Sequence, residues 1–147
     1  MNCKSIIGLG LAFLTYPLLG FADDCIETRY SFDVGSGAIK TTGNKVDKCK
    51  GEILEKLGEH NVHIKYESCM QNKDNHLIIS QDCINQTKEA IKDIEKAYDM
   101  DCATSRCAGV ATAWARKAAN ASELLKLFKA EKIDIEVLPQ EDEGELG

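Results

Sequence analysis

Six cysteines constrain this chain more than any other feature. Cys25, Cys49, Cys69, Cys83, Cys102 and Cys107 all lie downstream of an apolar run, Ile6 to Phe21, that follows Lys4 and closes on Gly20-Phe21-Ala22. A basic residue, an apolar stretch and small residues at the exit compose a cleavable secretory signal over residues 1–22, with a mature domain over 23–147. Cys3 leaves with that signal. The even set that remains, in an exported chain, reads as structural disulfides, and spacing does not choose the pairing. A zinc knuckle needs closely spaced cysteine pairs, and none of the six stands two residues from another. No cysteine directly follows the small-residue exit, so a lipid anchor is not expected and the mature protein should be free of the membrane, in the periplasm or secreted.

Charge narrows the partners. The 147 residues carry 18 Lys and Arg against 24 Asp and Glu, a formal charge of −6, with no cluster of basic and aromatic residues. Phosphate neutralisation dominates nucleic-acid affinity, so a nucleic-acid partner is excluded as an expectation.

Periodicity supplies the order of elements. Tyr30, Phe32 and Val34 alternate with polar residues and end at Gly35-Ser36-Gly37, which reads as a strand and a glycine loop. Residues 38–46 and 52–57 read as two more strands around the turn Asp47 to Gly51, and 60–77 as a connection. Ser80 caps a helix whose Ile84, Thr87, Ile91, Ile94 and Tyr98 share a face, and Asp99 to Asp101 end it. Cys107 to Ala115 reads as a buried strand. Asn120 then caps a helix, with Glu123 completing a capping box and Ala121, Leu124, Leu125 and Phe128 facing inward. Ile133, Ile135 and Val137 form a last strand, and an acidic segment to Gly147 follows. The expected class is α/β, a mixed sheet in the order β-β-β-α-β-α-β with helices packed on its faces.

Three places could carry chemistry. Asp33-Val34-Gly35-Ser36-Gly37 sets a carboxylate at a strand end before a glycine turn whose amides, with the Ser36 hydroxyl, can cradle a phosphate. An ordinary hairpin turn has the same composition. Arg116, after the 107–115 strand, could bring a fork of donors to the sheet edge used by ligands in open α/β folds, or it could be a surface arginine. Glu143 could orient an attacking water from beyond the last strand, or lie in a solvated acidic tail. His60, His63, His76 and Cys69 do not form a metal-ligand pattern. The sequons at Asn85 and Asn120 fall within and at the start of helices and carry no assigned function.

The stretches Tyr30 to Gly37, Val110 to Asn120 and Ile133 to Leu146, in that order, resemble the amino-terminal half of the Ppx/GppA phosphatases, which are exopolyphosphatases and guanosine pentaphosphate phosphohydrolases of the actin-like ATPase superfamily. The resemblance implies a ribonuclease-H-like lobe with Gly35, Ser36 and Gly37 as its first phosphate loop. It implies a phosphate-binding Arg116, a catalytic Glu143 that positions water, and Mg²⁺ held through Asp33. The implied substrate is polyphosphate or a phosphorylated nucleotide such as a guanosine polyphosphate, and the implied reaction is release of its terminal phosphate.

Two departures qualify the match. Gly37-Ala38 lacks side-chain donors found in the family after the loop serine, and Glu145 stands where an arginine is common. The family's second lobe, with its second glycine-rich loop, has no counterpart in these residues. A hydrolase of this type is therefore expected to be inactive as an isolated half, its partner being a separate second lobe or a second copy in a homodimer. The alternative is a non-enzymatic exported module that binds phosphate or a protein.

Overall fold

A computed structural model describes residues 25–140. The expected signal over 1–22, Cys3, Glu143 and the acidic segment around it lie outside the described residues.

Strand β1 (Ile26–Val34) runs antiparallel to β2 (Ala38–Asp47), and β2 to β3 (Glu52–His63). On the other side β1 pairs in parallel with β6 (Arg106–Ala111), and β6 with β7 (Asp134–Val137). The sheet order is therefore β3-β2-β1-β6-β7. Between β3 and β6 come α1 (Tyr66–Cys69), a separate hairpin of β4 (Met70–Lys73) and β5 (His76–Ile79), and α2 (Gln81–Tyr98). Helices α3 (Ala113–Lys117) and α4 (Ala121–Ala130) lie between β6 and β7.

Alternation in β1 decides where the core sits. Tyr30, Phe32 and Val34 are buried, and they join Ile84, Ile91 and Ile94 of α2 with Leu124 and Phe128 of α4 in one cluster. Arg29, Ser31 and Asp33 leave the opposite face and are exposed. Ser80 caps α2 by accepting a hydrogen bond from the Cys83 amide at 3.3 Å, and Asp99 ends it in the left-handed conformation. Asp47 accepts bonds from the Cys49 and Lys50 amides at 3.0 and 3.1 Å, which fixes the β2–β3 turn.

Four expectations need correction. Strand β3 reaches His63 rather than stopping at residue 57, because register slips leave Leu54 and Leu57 as extra residues and so break the period-two pattern. The supposed connection contains α1 and the β4–β5 hairpin, whose turn residues Asp74 and Asn75 take the positive φ that a tight hairpin requires. The strand expected over 107–115 ends at Ala111. The alanine-rich continuation coils into α3, so Arg116 sits in a helix and not in a loop. Asn120 does precede α4 but makes no capping bond, because its amide accepts from the Ile79 N–H at 2.7 Å and donates to the Ile79 carbonyl at 3.0 Å.

All six cysteines pair, as Cys25–Cys49, Cys69–Cys83 and Cys102–Cys107. The first closes the start of β1 onto the β2–β3 turn, and the second ties the end of α1 to the first turn of α2. No helix among the described residues is long and apolar enough to cross a membrane.

Candidate functional site

The loop after β1 is held by its carbonyls. Val34 accepts from the indole N–H of Trp114 at 2.7 Å and from the Thr112 amide at 3.3 Å. Ser36 accepts from the Tyr66 amide at 2.9 Å, and Gly37 from the Ile64 amide at 3.2 Å. Trp114 and Tyr66, both fully buried, stack with ring centroids 4.6 Å apart beneath these contacts. The Tyr66 hydroxyl shares a bond of 2.9 Å with Thr87, and burial pushes its pKa far up, so this pillar stays uncharged.

Anchored carbonyls fix where the amides go. In a trans peptide the C=O and the following N–H point in opposite directions, and no peptide among the described residues is cis. The Ser36 carbonyl turned to Tyr66 therefore sends the Gly37 N–H outward. The Gly35 N–H is already used, donating to the Ala38 carbonyl at 3.0 Å to close the turn. Among the described residues no hydrogen bond engages the N–H groups of Ser36 and Gly37. A Cβ at Gly37 would meet nothing within 4 Å, so the space beside its Cα is open.

That space is a cavity of about 370 Å³ lined by Asp33, Ser36, Gly37, Lys40, Asn61 and His63. Lys40 is the cross-strand partner of Asp33, and Asn61 is the partner of Lys40 on β3, so one row of the sheet supplies all three. Sequence reasoning missed Lys40 and Asn61 and set His63 aside. Lys40 could have been found by extending the alternation of β2, in which Ile39 and Thr41 face the core and Lys40 the other side.

Arg116 stands apart from this cavity but at the same sheet edge. Val34, Ala111 and Val137 align across the three parallel strands, and the Leu138 amide donates to the Ala111 carbonyl at 3.0 Å. Arg116, in the last turn of α3, donates from Nη1 to the Leu138 carbonyl. The loop and Arg116 thus occupy the carboxyl ends of neighbouring strands, where open α/β sheets bind ligands.

Asp33, at the loop cavity, is the residue that would hold a Mg²⁺ ion. Asp33 offers one carboxylate at the loop, and Mg²⁺ is commonly held by one or two carboxylates together with phosphate oxygens and water. Three ligating side chains gather elsewhere among the described residues, at Cys25, Asp47 and Cys49, but those cysteines are joined in a disulfide.

No family model matches the chain, and no curated protein does. Solved structures do. A Ppx/GppA family member from Aquifex aeolicus superposes with a TM-score of 0.62 at 27% identity, over 81% of this chain and 37% of that one. The fold is that of a Ppx/GppA lobe. An exopolyphosphatase from Cytophaga hutchinsonii gives the same TM-score at 16% identity, over 82% of this chain and 36% of its own. The chain thus spans little more than a third of the Ppx/GppA structures that it matches.

Proposed function

We propose that this chain is the phosphate-holding half of a phosphoanhydride hydrolase of exopolyphosphatase type. The observation that carries the reading is the pair of unengaged amides at Ser36 and Gly37, two residues that line one cavity together with the Lys40 ammonium. Preorganised donors of this kind favour an oxyanion without reorganising when charge develops on it.

In this reading the Ser36 hydroxyl, the loop amides and Lys40 bind the terminal phosphate, and Arg116 holds the next part of the substrate along the same edge. Glu143 positions the attacking water. A divalent cation at Asp33 would supply charge neutralisation when bound with substrate. Phosphoryl transfer depends on positioning and on charge stabilisation from several sides, so the chain alone is expected to bind polyphosphate with little turnover until a second lobe closes the site. A second reading keeps the loop as a phosphate-binding module without turnover, which the unengaged amides alone would support. The chain's three disulfides support an exported protein in either case.

Calorimetry with tripolyphosphate and Mg²⁺ tests the proposal. The full chain should bind, and Lys40→Gln and Ser36→Ala should each weaken binding about tenfold, which is roughly 1.4 kcal/mol per variant. Equal affinity in both variants would remove the loop from the account.

A further inference from the structure

The uncovered face of the sheet holds a basic recess lined by Arg29 and Arg106. Arg29 on β1 is the register partner of Asn44 on β2 and of Arg106 on β6, so one row across three strands reads Asn44, Arg29, Arg106. Side chains in such a row leave the same face about 5 Å apart. Two arginines side by side repel, and like charges directly opposite in a sheet are destabilising. Their placement is unexpected in a chain of net charge −6.

The surroundings define what the row could hold. Arg29 pairs with Glu27 at 2.5 Å, and that carboxylate also lies 3.9 Å from Lys48. The Arg29 hydrogen bond holds the Glu27 carboxyl below its ordinary pKa, with the charges of Lys48 and Arg106 adding to it, so one acid is shared among three cations. Among the described residues the Arg106 guanidinium makes no hydrogen bond and no salt bridge. Beside the row lies a cavity of about 350 Å³ with an apolar floor of Val46, Ile53 and Ala108, and Ile53 is 62% exposed. The Asn44 Oδ1 is buried there and has no hydrogen-bond partner among the described residues, a state that is costly unless a donor arrives.

We infer that this recess binds a carboxylate carried beside an apolar group and an amide N–H, the chemistry of a peptide carboxyl terminus ending in an aliphatic residue. The two guanidiniums take the carboxylate, the aliphatic side chain covers Val46 and Ile53, and the Asn44 side chain turns to bring its orphaned oxygen to the ligand's N–H. Bidentate guanidinium–carboxylate geometry explains why arginine rather than lysine serves here. The site is separate from the phosphate loop, because Arg29 precedes Val34 on the same strand by a stretch of about 16 Å.

Amide NMR of the full, disulfide-bonded chain titrated with N-acetyl-L-leucine tests this. Saturable shifts should appear at Arg29, Ser31, Asn44 and Arg106, and N-acetyl-L-leucinamide, which lacks the carboxylate, should bind at least tenfold more weakly. Arg106→Gln should lose about tenfold, and Lys126→Gln on the exposed side of α4 should lose nothing. Asn44→Ala should weaken N-acetyl-L-leucine but not 4-methylpentanoate, which has no N–H to give; that arm separates a peptide end from a simple aliphatic acid. Equal binding of acid and amide, an unaffected Arg106→Gln, or shifts confined to Ser36 and Gly37 would overturn the inference.

Discussion

Replacing Trp114 by phenylalanine separates the support of the phosphate loop from general stability. The substitution removes the indole N–H that bonds to the Val34 carbonyl at 2.7 Å and shortens a ring that is fully buried against Tyr66. A net hydrogen bond contributes about 1 kcal/mol. The Val34 carbonyl keeps the Thr112 amide at 3.3 Å, so it is not orphaned and the larger penalty for a bare acceptor does not apply. The hole left by the smaller ring adds about 1–2 kcal/mol. The sum, about 2–3 kcal/mol, is a sizeable part of the roughly 5–15 kcal/mol that holds a domain. Urea unfolding followed by circular dichroism measures it.

Binding provides the sharper comparison. Phe128→Leu perturbs the same core from α4, away from the loop, and should cost a similar amount of stability while leaving tripolyphosphate affinity unchanged. Trp114→Phe should weaken that affinity several-fold under conditions where the protein is fully folded. If Trp114→Phe loses stability but binds tripolyphosphate as the parent does, the argument that anchored carbonyls aim the loop amides is wrong.

Other expectations follow from single contacts. A Cβ at Gly109 would lie 2.1 Å from the Phe32 carbonyl oxygen and 2.5 Å from the Phe32 Cβ, so Gly109→Ala must part β1 from β6 and should cost about 3 kcal/mol in urea unfolding; an unchanged midpoint would refute the close approach. Replacing Cys69 and Cys83 by serine opens a loop of 14 residues and should cost about 3 kcal/mol, more than opening the five-residue loop between Cys102 and Cys107; the reverse order would show that loop entropy does not govern these bridges. Burial, then the nearby Glu131, raises the pKa of Glu95 above its usual 4.5, so the ionised form destabilises the fold and stability is lost as pH rises through the folded value. Glu95→Gln should therefore raise the melting temperature at pH 7 and change little near pH 3, and equal effects at both would contradict that assignment.

Periodicity was readable wherever packing followed one face. Ser80 with Ile84, Ile91 and Ile94 defined α2, and Tyr30, Phe32 and Val34 defined β1, because burial there repeats at the period of the element. It failed where a side chain serves a distant backbone. Asn120 looks like a cap, yet its amide satisfies Ile79 some forty residues away, and nothing local signals that choice. Trp114 looks like one more apolar residue of a strand, yet it lies in α3 and its indole reaches back to the Val34 carbonyl. The same limit applied to the site. Gly35 to Gly37 were legible from composition, whereas Lys40 and Asn61 joined them only through pairing across β2 and β3.

The most direct measurement is amide NMR of the full chain titrated with tripolyphosphate in the presence of Mg²⁺. The account predicts saturable shifts concentrated at Asp33 to Ala38 and Lys40, largest at the Ser36 and Gly37 amides, with the Arg29 and Arg106 signals unmoved. An absence of saturable shifts at Ser36 and Gly37, or binding confined to the open face of the sheet, would contradict it.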